Sequence, residues 1–103
     1  MAIKESSRLR DYELTVVFSP EIAEEDIATE IERVSQFITQ KGGLINEVNQ
    51  WGRRKLAYPI RHFREGNYVL TQFKLQPSLA VELERNLQSS EEILRYLLVR
   101  LEE

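Results

Sequence analysis

The sequence predicts an α+β domain: one four-stranded antiparallel sheet, in strand order 4-1-3-2, carrying two helices on one of its faces. Three observations predict it. Period-two and period-3.6 hydrophobic patterns follow one another in the order β-α-β-β-α-β. Right-handed crossovers in both β-α-β halves give this sheet as the natural solution. That solution puts the second strand at an edge, where its Pro59, which has no N–H to donate, is tolerated.

The elements follow in order. Tyr12, Leu14, Val16 and Phe18 alternate with Glu13, Thr15 and Val17, which is a strand with one face on a core. Ser19, Pro20 and Glu21 break it and lead into a helix, and Glu24, Glu25 and Asp26 complement the positive end of that helix. Ile27, Ile31, Val34 and Ile38 form its apolar stripe, and Lys41, Gly42 and Gly43 stop it. From Leu44 to about Ile60 the chain reads as a long, irregular strand with a bulge or bend at Gly52. Arg61 to Gly66 reads as a polar turn. Val69, Thr71, Phe73 and Leu75 then mark the inward face of a third strand over Asn67 to Leu75. Pro77 and Ser78 open a second helix with Leu79, Ala80, Leu83 and Leu87 as its buried stripe. After a polar loop, Gln88 to Glu92, a last strand runs from Ile93 to Leu101. The outward face of the sheet, with Glu13, Thr15, Val17, Tyr68, Leu70, Leu97 and Val99, is apolar enough to be an interaction surface, although scattered apolar residues on open sheets are common.

The 103 residues leave room for one domain, expected over residues 10–103 after an N-terminal extension, Met1 to Leu9, expected to be flexible. With 42% hydrophobic and 30% charged residues the chain has the composition of a folding globular protein rather than a disordered one. It contains no cysteine, which removes disulfides, thiol nucleophiles and thiolate metal sites. No apolar run is long enough for a membrane span or a secretory segment, so a soluble, cytoplasmic protein is expected.

A net charge of -3 argues against nucleic acid as a partner, but its distribution reverses that argument. Residues 1–52 carry 5 basic and 10 acidic side chains, residues 53–64 carry 5 and none, and residues 65–103 carry 4 and 7. One short segment is therefore cationic within an anionic chain. In it, Arg53, Arg54 and Lys55 lie on extended backbone and project to both sides, as needed to straddle a phosphate backbone. Arg61 and Arg64 extend the positive run, and Trp51, Tyr58 and Phe63 interleave aromatic surface suited to stacking on ribose or an unpaired base. A basic run at a sheet edge also serves simply to discourage edge-to-edge pairing, and both readings stand on composition alone.

The segment Gly52-Arg53-Arg54-Lys55-Leu56-Ala57-Tyr58-Pro59-Ile60-Arg61 closely resembles the central signature of the family of the sixth protein of the bacterial small ribosomal subunit. The resemblance runs from about Arg10 to Leu101, through Arg10-Asp11-Tyr12-Glu13, Ser19-Pro20, Gly42 and Gly66-Asn67-Tyr68. It implies a ferredoxin-like, non-enzymatic ribosomal protein that pairs with the eighteenth small-subunit protein and binds the central domain of small-subunit ribosomal RNA. By position it implies that Arg53, Arg54 and Lys55 contact RNA or the partner protein, that Leu56, Tyr58 and Ile60 mainly shape the strand, and that Arg10 adds a phosphate contact near the start of strand one. With Arg61 and Arg64 of the basic run, Arg10, Arg53, Arg54 and Lys55 are the expected RNA-binding residues, and the aromatic Trp51, Tyr58, Phe63 and Tyr68 are expected to contact RNA or the partner. No cofactor, metal, membrane or small-molecule substrate is implied. Lys4 and Arg8, ahead of the family's usual start, are candidates for weak further phosphate contacts.

Three other functions are compatible with this fold class. An acylphosphatase-like enzyme of this fold class would need anion donors in the loop after strand one, where this chain has Ser19-Pro20-Glu21. The single histidine, His62, has no companion groups for metal or nucleophile chemistry. An RNA-recognition-like domain reading single strands on its open sheet would use Tyr68 as its outward strand-three aromatic. A small-molecule regulatory domain would dimerise through sheet edges.

Overall fold

A computed structural model describes residues 8–101. Most of the expected extension, including Lys4, and the last two residues lie outside the described residues.

The elements are β1 (Arg10–Phe18), α1 (Glu24–Gln40), β2 (Leu44–Ile60), β3 (Phe63–Leu75), α2 (Pro77–Gln88) and β4 (Ile93–Arg100). The sheet is antiparallel throughout, in the order β2-β3-β1-β4, which is the expected ferredoxin-like arrangement with β2 at an edge. The alternation in β1 sorts as its pattern requires. Tyr12, Leu14, Val16 and Phe18 join Val69, Phe73 and Leu75 of β3 beneath the helices, where Ile27, Val34 and Ile38 of α1 and Ala80, Leu83 and Leu87 of α2 meet them. Each such Val, Leu, Ile or Phe side chain stabilises the fold by roughly 1.5–3 kcal/mol on burial. Burial lifts the Tyr12 hydroxyl above its ordinary 10.0, against the opposing pull of Arg100 and Arg10.

Helix α1 starts without a side-chain cap but with Glu24, Glu25 and Asp26 in its first turn. Its end is fixed by two glycines with different tasks. Gly42 takes the left-handed conformation, φ +87°, while the Gly42 and Gly43 N–H groups return to the Thr39 and Ile38 carbonyls. Gly43 is required by closeness: a Cβ there would lie 2.5 Å from the Lys74 carbonyl oxygen. Helix α2 begins with Pro77 in its first turn, as expected. The two helices are tied by Arg33, which donates to Glu30 Oε1 and to Asn86 Oδ1 at 2.7 Å.

One expectation needs correction. Arg61 to Gly66 is not a polar turn. The turn is Arg61-His62 alone, closed by the Ile60–Phe63 pair, and β3 begins at Phe63. Both turn residues have positive φ, 48° and 57°, the geometry of a two-residue hairpin loop whose twist matches its strands. That loop is usually signalled by Asn-Gly, so Arg-His concealed it. Smaller differences lie at element ends: α2 runs on through Gln88, and β4 stops at Arg100 rather than Leu101.

Candidate nucleic-acid interface

Strand β1 pairs with β3 only from Asn67 to Leu75. The segment of β2 from Arg53 to Ile60 and of β3 from Phe63 to Gly66 therefore extends past β1 as a two-stranded arm, and it carries the whole 5-to-0 basic run.

Two irregularities shape this arm. At the first, the pairing skips Trp51 between Gln50 and Gly52, and Gly52 takes φ +85°. The indole then lies against the Tyr68 ring on the open face, centroids 6.4 Å apart and planes 13° from parallel. At the second, pairing lapses between Lys55 and Ile60 around Pro59, which has no donor to offer. There the arm bends back over the sheet to β4 at the far edge. Arg95 donates from Nη1 to the Tyr58 hydroxyl at 2.9 Å, with its guanidinium 5.6 Å from that ring. Arg61 Nη1 donates to the Glu91 carbonyl at 3.0 Å. Gly66 packs against Val17, which is buried at 4% exposure although it belongs to the open face.

The cations fall on both sides of the arm, as extended backbone requires. Arg53 donates from Nη2 to the Pro20 carbonyl at 2.8 Å and meets Glu65 at 3.5 Å, an exposed pair of little energetic weight. Arg54 lies on the other side with its guanidinium 5.7 Å from the Trp51 ring. The Lys55 and Arg64 side chains are exposed and make no hydrogen bond or ion pair among the described residues. They border a shallow cavity of about 290 Å³ with Tyr58 and Pro59. Among the described residues, Arg53 is thus the one cation of the arm that meets a carboxylate.

The structure does not bring every expected site residue together. Arg10 is half-buried beside Tyr12 at the opposite end of β1 from the arm, so the two lie a strand length apart, roughly 26 Å at ~3.3 Å per residue. Phe63 closes the hairpin and lies near His62, 5.8 Å between ring centroids, away from the Trp51–Tyr68 pair. Arg95 was missed. Its signal was its parity with Leu97 and Val99, which places it on the open face with them, but an isolated arginine on a distant strand has no local pattern to mark it. Away from the arm the same face is internally matched: Lys74 bonds Asp11 at 2.8 Å and Gln72 bonds Glu13 at 3.0 Å. Beside β4, Leu97 at 59% and Val99 at 40% exposure remain uncovered.

Comparison with known proteins is consistent across three kinds of match. The family model described as ribosomal protein S6 matches residues 11–100. The small ribosomal subunit protein bS6 of Moorella thermoacetica is 44% identical over 95 residues, covering 92% of this chain and 97% of that protein. The bS6 protein of Caldanaerobacter subterraneus is 44% identical over 92 residues, covering 89% and 97%. The crystal structure of 30S ribosomal protein S6 from Thermotoga maritima superposes with a TM-score of 0.87 at 33% identity, covering 91% of this chain and 89% of that one.

Proposed function

The chain belongs to the ribosomal protein S6 family, and from that premise we propose that it binds the central domain of small-subunit ribosomal RNA together with the eighteenth small-subunit protein. Membership makes it a structural, non-enzymatic protein of the small ribosomal subunit, located with the ribosome in the cytoplasm. The finer reading is carried by one observation: an arm holding five cations and no acidic residue between positions 53 and 64, four of those cations without a carboxylate partner among the described residues. Such charges are available to phosphates.

Arg53, Arg54, Lys55, Arg61 and Arg64 are the phosphate-binding residues of this reading, and Arg10 makes a separate contact at the other end of β1. Tyr58, Phe63, Trp51 and Tyr68 supply apolar and stacking surface to RNA or to the partner protein. The uncovered Val99 and Leu101 are the surface best suited to that protein.

Two measurements test the reading. Replacing Arg54, Lys55 and Arg64 together by alanine is expected to weaken binding to a central-domain RNA fragment and to reduce the salt slope by about three, roughly one per lost phosphate contact. A slope that stays put removes the arm from the interface. Because the net charge of -3 opposes RNA at long range, the isolated chain is expected to bind that fragment more weakly than the pair with the eighteenth protein. Equal affinity at physiological salt would refute the need for a partner.

A further inference from the structure

We propose that the open face of the sheet holds a site for unpaired nucleobases, formed by Trp51, Tyr68 and the cavity between Tyr68 and Arg95. This deepens the RNA-binding reading and rests on it, since it assigns single-stranded rather than duplex RNA to a particular surface.

The register puts these groups on one line. Gly52, next to Trp51, pairs with Tyr68; Tyr68 pairs with Val17; and Val17 pairs with Arg95. The line crosses all four strands at right angles, a span of roughly 14 Å at ~4.8 Å per strand. Trp51 is 46% exposed and its plane lies 13° from that of Tyr68, so the two rings form one stacked pair on the open face, with the Arg54 guanidinium over the indole. Beyond Tyr68 lies a cavity of about 170 Å³, with Val17 and Leu97 as apolar walls, Thr15 as a hydroxyl and Arg95 at its rim. That is below the ~300–1,000 Å³ of pockets for drug-sized molecules, a size for one flat ring system rather than a whole nucleotide.

Charge selects the occupant. Arg54 flanks the line at the β2 side and Arg95 at the β4 side, and neither is paired to a carboxylate. The neighbouring row on this face, Asn49, Leu70, Thr15 and Leu97, has no acidic residue of its own, and the Glu47 carboxylate from the row beyond it accepts from the Asn49 amide at 2.7 Å. Aromatic planes and a ring-sized slot bracketed by two guanidinium groups match bases joined by phosphates. A-form duplex cannot use them, because its bases are already stacked on one another.

Trp51 is the chain's single tryptophan, so its fluorescence reports the site directly. The full chain is titrated at low salt with an octamer of uridine, an octamer of adenosine and a blunt duplex of the same length. The single strands are expected to quench Trp51 and the duplex to leave it bright. Tyr68→Leu is expected to weaken octamer binding roughly 5- to 150-fold, the equivalent of ~1–3 kcal/mol for one stacked base, without changing the salt slope. The exposed Arg95→Gln lowers both affinity and slope, the latter by about one, and provides a second variant if Tyr68→Leu unfolds in a thermal melt. Octamers that bind with a full salt slope but without quenching overturn the stacking site and leave the arm reading intact; a slope near zero removes both. If Tyr68→Leu and Arg95→Gln abolish capture of the eighteenth protein while octamer affinity is unchanged, the face is a protein interface and the proposal is wrong.

Discussion

Phe73→Ala is expected to lower the unfolding free energy by about 3–5 kcal/mol, which is much of the ~5–15 kcal/mol that holds a typical domain together. Phe73 has no exposure and lies midway across the sheet, in register with Tyr12 of β1 on one side and Ile45 of β2 on the other. Its ring stacks on Tyr12 with centroids 5.6 Å apart. Truncation removes that contact and leaves a cavity whose walls belong to three strands at once, so relaxation to fill it would have to displace the sheet itself. Urea denaturation would show it as a large fall in midpoint at constant slope. The comparison is Tyr58→Ala, at 56% exposure, where a change within about 1 kcal/mol is expected because the lost hydrogen bond to Arg95 is exposed. Similar midpoints for the two variants would place the core elsewhere than beneath the helices.

The inward face was legible in the sequence because it obeys simple periods. Tyr12 to Phe18 alternate, Ile27 to Ile38 recur at helical spacing, and Pro59 required an edge, so order and topology followed from residue types alone. What the patterns could not carry was the arm. Its residues bury little, so hydrophobic periodicity has no purchase there, and β2 is exposed along nearly its whole length. The Arg61-His62 turn uses backbone conformations that its side chains do not favour. Its stability comes from neighbours: the Ile60–Phe63 closure and the Arg61 bond to Glu91. The basic run of the candidate site was legible because consecutive charges are visible in one dimension. Arg95 was not, because only the fold brings β4 to the bent arm. Val17 illustrates the same limit, for alternation assigned it correctly to the open face but did not reveal that Gly66 of the arm packs on it.

That contact between Gly66 and Val17 yields the second large effect. Gly66→Ala is expected to cost about 1–3 kcal/mol, because its Cβ would overlap Val17 Cγ1 and sit 3.2 Å from the Phe18 carbonyl oxygen. Val17 is β-branched and has little rotamer freedom with which to yield, and the Phe18 carbonyl is fixed by the sheet. The strain is relieved most readily by lifting the arm, since β3 before Asn67 has no β1 partner to hold it. Lifting breaks the Arg95–Tyr58 and Arg61–Glu91 bonds. The cations stay on the chain, so the salt slope for RNA is expected to persist. Affinity is nevertheless expected to fall about tenfold, because ordering several loosened side chains costs ~0.5–1.5 kcal/mol each on binding. Amide hydrogen exchange would locate the change, with residues 53–66 losing protection while Leu14 and Phe73 keep theirs. Protection of the arm equal to that of the parent chain would mean that Gly66 is not its hinge point and that the arm is held by its own two strands alone.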